Sequence, residues 1–152
     1  MANATANRDR YVVGKEGRDV HLPVAATTHL YAQTMVVQIA ATGMVAPVGT
    51  AATTVVIGVA QHEVDNTGAA GLKRVAVETD REHVFDNDAT NPVSEATPIG
   101  TALYAVDDHT LGTSSVTNTL KFAGTHHGME PNGKVRVMIA NNNVTMAAAL
   151  VS

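Results

Sequence analysis

The chain has no cysteine and no tryptophan, and only three Tyr and two Phe. The first absence removes disulfides, thiolate metal sites and cysteine nucleophiles together. The scarcity of rings leaves a core of small β-branched and methyl side chains, because the 45% hydrophobic share rests mostly on Ala and Val. Oligomerisation is then the obvious extra source of stability. No apolar run approaches the ~18 residues of a membrane span. "MANATANRDRYVVGKEGRD" lacks the apolar core of a secretory signal. The expectation is a soluble product of the cytoplasm with no membrane partner. Positive charge is also short, with 10 Lys and Arg against 14 Asp and Glu, a net charge of −4. A dedicated nucleic-acid binder clusters basic side chains to neutralise phosphates, so no nucleic-acid partner is expected.

What is present reads as all-β. At 152 residues the chain fits one domain, able to bury roughly 70% of its unfolded surface. Helical periodicity is absent, while short β-rich runs bounded by Gly, Pro, Asn and Asp recur. Strands are predicted at Arg10 to Val13, Val20 to Val24, Thr34 to Ala40, Thr54 to Ala60, Leu72 to Thr79, His83 to Phe85, Ala102 to Val106, Thr119 to Ala123 and Lys134 to Ala140. Val135, Val137 and Ile139 alternate with Arg136 and Met138, the period of a half-buried strand. "TVVIGVA" is apolar on both faces and belongs at a sheet centre or beneath another layer. "ATGM" and "MEPNGK" are hairpin turns. A small β-barrel or β-sandwich follows.

The two ends do not fit that body. Residues 1–19 read as a polar, extended N-terminal arm, expected to be mobile in the free protein, 20–140 as the β domain, and 141–152 as an apolar C-terminal tail. In the arm, Arg8, Arg10, Lys15 and Arg18 alternate with Asp9, Glu16 and Asp19, a mixture suited to a protein surface of mixed sign. Tyr11, Val12 and Val13 form the one segment there able to add a strand to a sheet edge. These seven, Arg8, Arg10, Tyr11, Val12, Val13, Lys15 and Arg18, are the expected partner contacts. In the tail, Val144, Met146, Leu150 and Val151 need cover and are the expected oligomer contacts.

Chemistry is harder to find. His126 and His127 are adjacent, which on a strand sends them to opposite faces, and only Glu130 is near, so a solvated loop is expected rather than a metal site. His109 follows Asp107 and Asp108, a pairing that could orient an imidazole but also an ordinary turn. His21, His29, His62 and His83 lie in or near separate strands, as hydrogen-bonded structural histidines do. "DNDATNPVSE" offers Asp86, Asn87, Asp88 and Glu95, yet lacks the sixth-position Gly of a calcium loop, contains Pro92 and places Glu95 two residues early. Ser114 and Ser115 have no nucleophile elbow around them, and no phosphate-cradling loop is present. No enzyme activity, catalytic residue, metal or cofactor is therefore assigned. A carbohydrate-binding module, the competing non-enzyme reading, stacks sugars on exposed rings, and five aromatics leave few to spare.

Three segments are left: "LYAQTMVVQIAATGMVAPVGT", "VVIGVAQHEVDNTGAAGLKRVAVETDREHVFDND" and "IGTALYAVDDHTL". In that order they resemble the capsid decoration, or cement, proteins of tailed bacteriophages. The layout is a strand ending in "GVA", a "VDNTGAAG" loop, a strand of alternating valines, a short "FDND", then G-x-x-x-Y-x-V-D-D. It spans roughly Leu30 to Ala140, and arm and tail lie outside it. The resemblance implies a structural virion protein on the outer surface of the capsid that cements neighbouring major capsid proteins. Its partners would be the major capsid protein and itself, as a homotrimer in preference to a homodimer. A non-catalytic β-sandwich module for carbohydrate or host-surface adhesion, or another phage head or tail structural protein, is the alternative.

Overall fold

Val135, Val137 and Ile139 are fully buried and Arg136 and Met138 only half-buried, so the period of two seen in the sequence is realised in the last strand. The computed structural model describes residues 2–8, 12–13, 18–49, 55–114 and 121–140, and among these there is no helix. The strands are β1 (Val12–Val13), β2 (Arg18–Pro23), β3 (Thr28–Leu30), β4 (Met35–Gln38), β5 (Val45–Pro47), β6 (Val55–Ala60) and β7 (Val64–Asn66). They continue as β8 (Arg74–Thr79), β9 (Arg81–Asn87), β10 (Ala102–Asp107), β11 (Thr110–Gly112), β12 (Phe122–Met129) and β13 (Val135–Ile139).

Two sheets divide the chain. In the first, β9, β11, β10, β12 and β13 follow one another, and β13 pairs back onto β9 from Val135↔Phe85 to Ile139↔Arg81, closing a five-stranded barrel. Closure removes the free edges that an open sheet exposes. The short β11 meets β9 only at Asp86 and Asn87, and β1 pairs with β9 at His83 and Glu82. In the second sheet the order is β2, β8, β6, β4, β5, antiparallel throughout. A bridge between Val24 and Val45 joins its two ends, so this sheet also curls on itself. β3 and β7 form a separate ribbon.

β6 is central in its sheet, as its apolar faces predicted. Met35, Val37, Val56 and Val59 of the second sheet pack with Leu103, Ala105, Leu111, Val135 and Ile139 of the barrel in one core. Val36 turns the other way, into a second core with Val24, Leu30, Val45, Val64, Val75 and Val77. Each fully buried valine or leucine is worth about 1.5–3 kcal/mol relative to exposure, so small side chains suffice when two sheets supply them.

Both predicted hairpins form. Ile39 and Met44 close the β4–β5 turn with Gly43 at φ 74°, and Glu130 and Lys134 close the β12–β13 turn with Gly133 at φ 86°. Four three-residue strands, β3, β5, β7 and β11, were not anticipated, because three residues are too few to display a period. β12 runs to Met129 instead of ending at Ala123. Its glycines read as loop, but Gly124 allows the β13 backbone to come close, and Gly128 sits where the ladder slips register.

Candidate interaction site

The loop after β7 begins at Asn66, whose side chain is buried. Its Nδ2 donates to Val24 O at 3.2 Å, Ala25 O at 3.0 Å and Ala69 O at 3.1 Å, while its Oδ1 accepts from Gly68 N at 3.3 Å. Gly71 N donates to Val24 O at 2.9 Å, with Gly71 at φ 80°, a conformation that favours glycine. The glycine-rich stretch is thus a fixed surface shape held from within. It presents Leu72, the most exposed large apolar side chain described, at 71%. Ile99 at 67% and Val20 at 42% are the other two.

Residues 2–8 lie on the body, held by polar contacts, and not free of it as the composition of the arm suggests. Seven hydrogen bonds tie residues 2–8 to it: Asn3 Nδ2 to Val48 O (2.6 Å), Asp108 N to Asn3 Oδ1 (3.0 Å), Ala4 N to Asp108 Oδ1 (2.7 Å), Asn7 Nδ2 to Glu63 Oε1 (3.0 Å), Ala32 N to Asn7 Oδ1 (2.8 Å), Arg8 N to Ala32 O (3.1 Å) and Arg8 Nη2 to Asp86 Oδ2 (3.0 Å). At about 1 kcal/mol each they offset between half and all of an ordering cost of about 1–2 kcal/mol per residue over seven residues. Of the partner contacts read from the sequence, Arg8 is spent on Asp86, and Val12, Val13 and Arg18 have their backbone in β1 and β2. Arg10, Tyr11, Lys15 and the tail residues Val144, Met146, Leu150 and Val151 lie outside the described residues.

The acidic turn at Asp107, Asp108 and His109 is the one cluster with metal-ligand composition among the described residues, its three donor atoms within 4.8 Å of one another. Those atoms are engaged: His109 Nδ1 meets Asp108 Oδ1 at 2.7 Å, Asp107 Oδ1 accepts His109 N at 3.0 Å, and Asp108 Oδ1 also takes Ala4 N. The arrangement builds a turn and anchors the arm. In the 86–95 stretch, Asn87 clasps Val93 through both its N–H and C=O, Asp88 Oδ2 caps Asn91 N at 3.0 Å, and Asp86 pairs with Arg8 and Lys134. The side chains that suggested calcium fold their own loop.

His126 and His127 are in β12 and not in the solvated loop expected. His126 is 2% exposed, and His127 Nδ1 meets Glu82 Oε1 at 2.6 Å across the barrel wall. Burial, and then the charge of His127, lower the His126 pKa from its usual 6.5, while Glu95 opposes them. The folded ring therefore binds its proton less well than the unfolded one. The resulting stability is fully present above the usual value and is lost as pH falls through the lowered folded value. Tm measured from pH 7.5 to 5 should fall, and the fall should be shallower in His126→Gln. An equal slope in the two proteins would assign the pH dependence elsewhere. At the surface, His29, stacked on Tyr31, binds Glu63 at 2.7 Å. That contact, with Asn7 second, holds the Glu63 carboxyl below its usual 4.5.

Sequence reasoning did not find Asn66, Glu63, Asp86 or Asp108 as organisers. Asn66 had a local signal, Asn ahead of a Thr-Gly turn. The three carboxylates had none, since their arm partners stand 56 to 104 positions away. No family model, no curated protein and no solved structure matches the chain.

Proposed function

We propose that this is a structural virion protein that binds the outer surface of a tailed-phage capsid and cements neighbouring major capsid proteins. The observation that carries the reading is the Asn66-pinned loop. It is a preorganised apolar projection, with Leu72 at its end, on a body built of two interlocked sheets. A rigid projection loses little conformational freedom on docking, so a modest contact suffices, and repetition over a lattice multiplies it. The segments of the resemblance fall on this frame in order. "GVA" ends β6, "VDNTGAAG" is β7 and the pinned loop, "FDND" ends β9, and the Y-x-V-D-D run is β10 and its turn. The partners are the major capsid protein and further copies of the chain, with a homotrimer favoured.

Sedimentation with expanded empty shells and with procapsids of the cognate phage tests this. The wild type is expected to pellet with expanded shells only. Leu72→Ser should bind about tenfold more weakly, the scale of a central apolar contact, with its Tm unchanged. A wild type that ignores expanded shells, or a Leu72→Ser protein that binds them at full strength, would refute the reading or the role of the loop respectively.

A further inference from the structure

None of residues 2–8 belongs to either apolar core, and all are exposed or half-buried. What holds them is polar: four bonds go to the backbone of Val48, Ala32 and Asp108, and three go to carboxylates from separate parts of the fold. Asp108, after β10, takes the Ala4 N–H, Glu63, ahead of β7, takes the Asn7 amide, and Asp86, in β9, takes Arg8. Each carboxylate also has a partner outside the arm: His109 for Asp108 at 2.7 Å, His29 for Glu63 at 2.7 Å and Lys134 for Asp86 at 2.5 Å. Removing the arm would therefore strand none of the three carboxylates and would take no side chain out of either apolar core. Arg8 itself lines a small cavity with Gln33, Val84, Phe85, Asp86, His109 and Lys134, which water can enter as the arm leaves. The three carboxylates keep partners when the arm leaves, while the backbone groups of Val48, Asp108 and Ala32 that bonded it take water instead.

We propose that residues 2–8 are a releasable latch, docked on their own body in the free protein and lifted when the chain engages a capsid shell. The proposal rests on the decoration reading. While Arg8 is held by Asp86 it is not available to a partner. Apparent shell affinity is then reduced by the fraction of chains that are latched.

The experiment uses the full chain and two readouts, amide hydrogen exchange at Ala4 and Arg8 and co-sedimentation with expanded shells. Glu63→Ala with Asp86→Ala weakens the latch from the body side and leaves the arm sequence intact. Exchange at both amides should rise about tenfold, and shell affinity should rise about threefold or more. Unchanged exchange would overturn the latch. Faster exchange with equal or weaker shell binding would overturn its link to engagement. A wild type that does not bind shells sinks the decoration reading and this role with it, while the exchange result still decides whether residues 2–8 are latched.

Discussion

Asn66→Ala should cost about 2–4 kcal/mol of stability, the scale expected when a buried multi-bond polar group is removed and its partners are left behind. The substitution deletes the donors to Val24 O, Ala25 O and Ala69 O. Ala25 O then faces a small void, whereas Val24 O keeps Gly71 N and Ala69 O keeps Leu72 N. Asn66→Asp separates polarity from shape. It is nearly isosteric and keeps the acceptor for Gly68 N, but it sets a carboxylate against three carbonyl oxygens. It should therefore be worse than Ala at neutral pH and recover as the pH is lowered. Chemical denaturation gives the midpoint, and limited proteolysis between residues 67 and 73 reports the freed loop. A loss for Asn66→Ala below about 0.5 kcal/mol, within the range of an ordinary surface change, would show that the loop holds its shape without this side chain.

Gly124→Ala should be comparably damaging, by about 3 kcal/mol, for a steric reason. A Cβ there collides with Met138 O and lies 3.0 Å from Val137 Cγ2, so the β12 backbone must move away from β13. In an open sheet an edge strand could drift to make room. Here β12 is held by β10 on its other side, and β13 is held by β9, so relief has to propagate round the barrel. Gly133→Ala is the matched control. Its Cβ meets nothing within 4 Å, and only the φ of 86° resists it, at about 1 kcal/mol. Thermal unfolding of the pair discriminates the mechanisms. Equal losses would mean that backbone conformation, and not the approach of β13, is what these positions require.

The architecture was legible where a side-chain period or turn chemistry is local. Val135, Val137 and Ile139 announced β13, the two-faced apolar run announced a central β6, and Asn132-Gly133 announced the last hairpin. It was illegible where three residues make a strand, as in β11, or where a glycine signals close approach instead of a loop, as at Gly124. Sheet closure was equally hidden, because the pairing of Phe85 with Val135 leaves no mark on either segment. The pinned loop was half visible: "DNTGAAG" marked a surface turn, but its rigidity depends on carbonyls of Val24 and Ala25, about forty positions away. The arm's polarity was read correctly from composition. Its attachment depends on carboxylates that become neighbours only after the chain has folded.

The order in which strands leave the ribosome follows from the pairing. Every strand of the curled second sheet lies between residues 18 and 79, so that sheet can assemble while the rest of the chain is still being made. The barrel cannot. β9 has to wait for β13, since Arg81 pairs with Ile139, 58 positions further along the chain. During that interval β9 carries an unpaired edge, the kind of surface on which nascent chains aggregate. Its own charges, Arg81, Glu82 and Asp86, discourage pairing between chains. β1 is already made by then, and it pairs with β9 on the side away from β13 at Glu82 and His83. The two-residue β1 thus covers part of one edge of β9 early, while the edge that β13 takes stays open until β13 arrives.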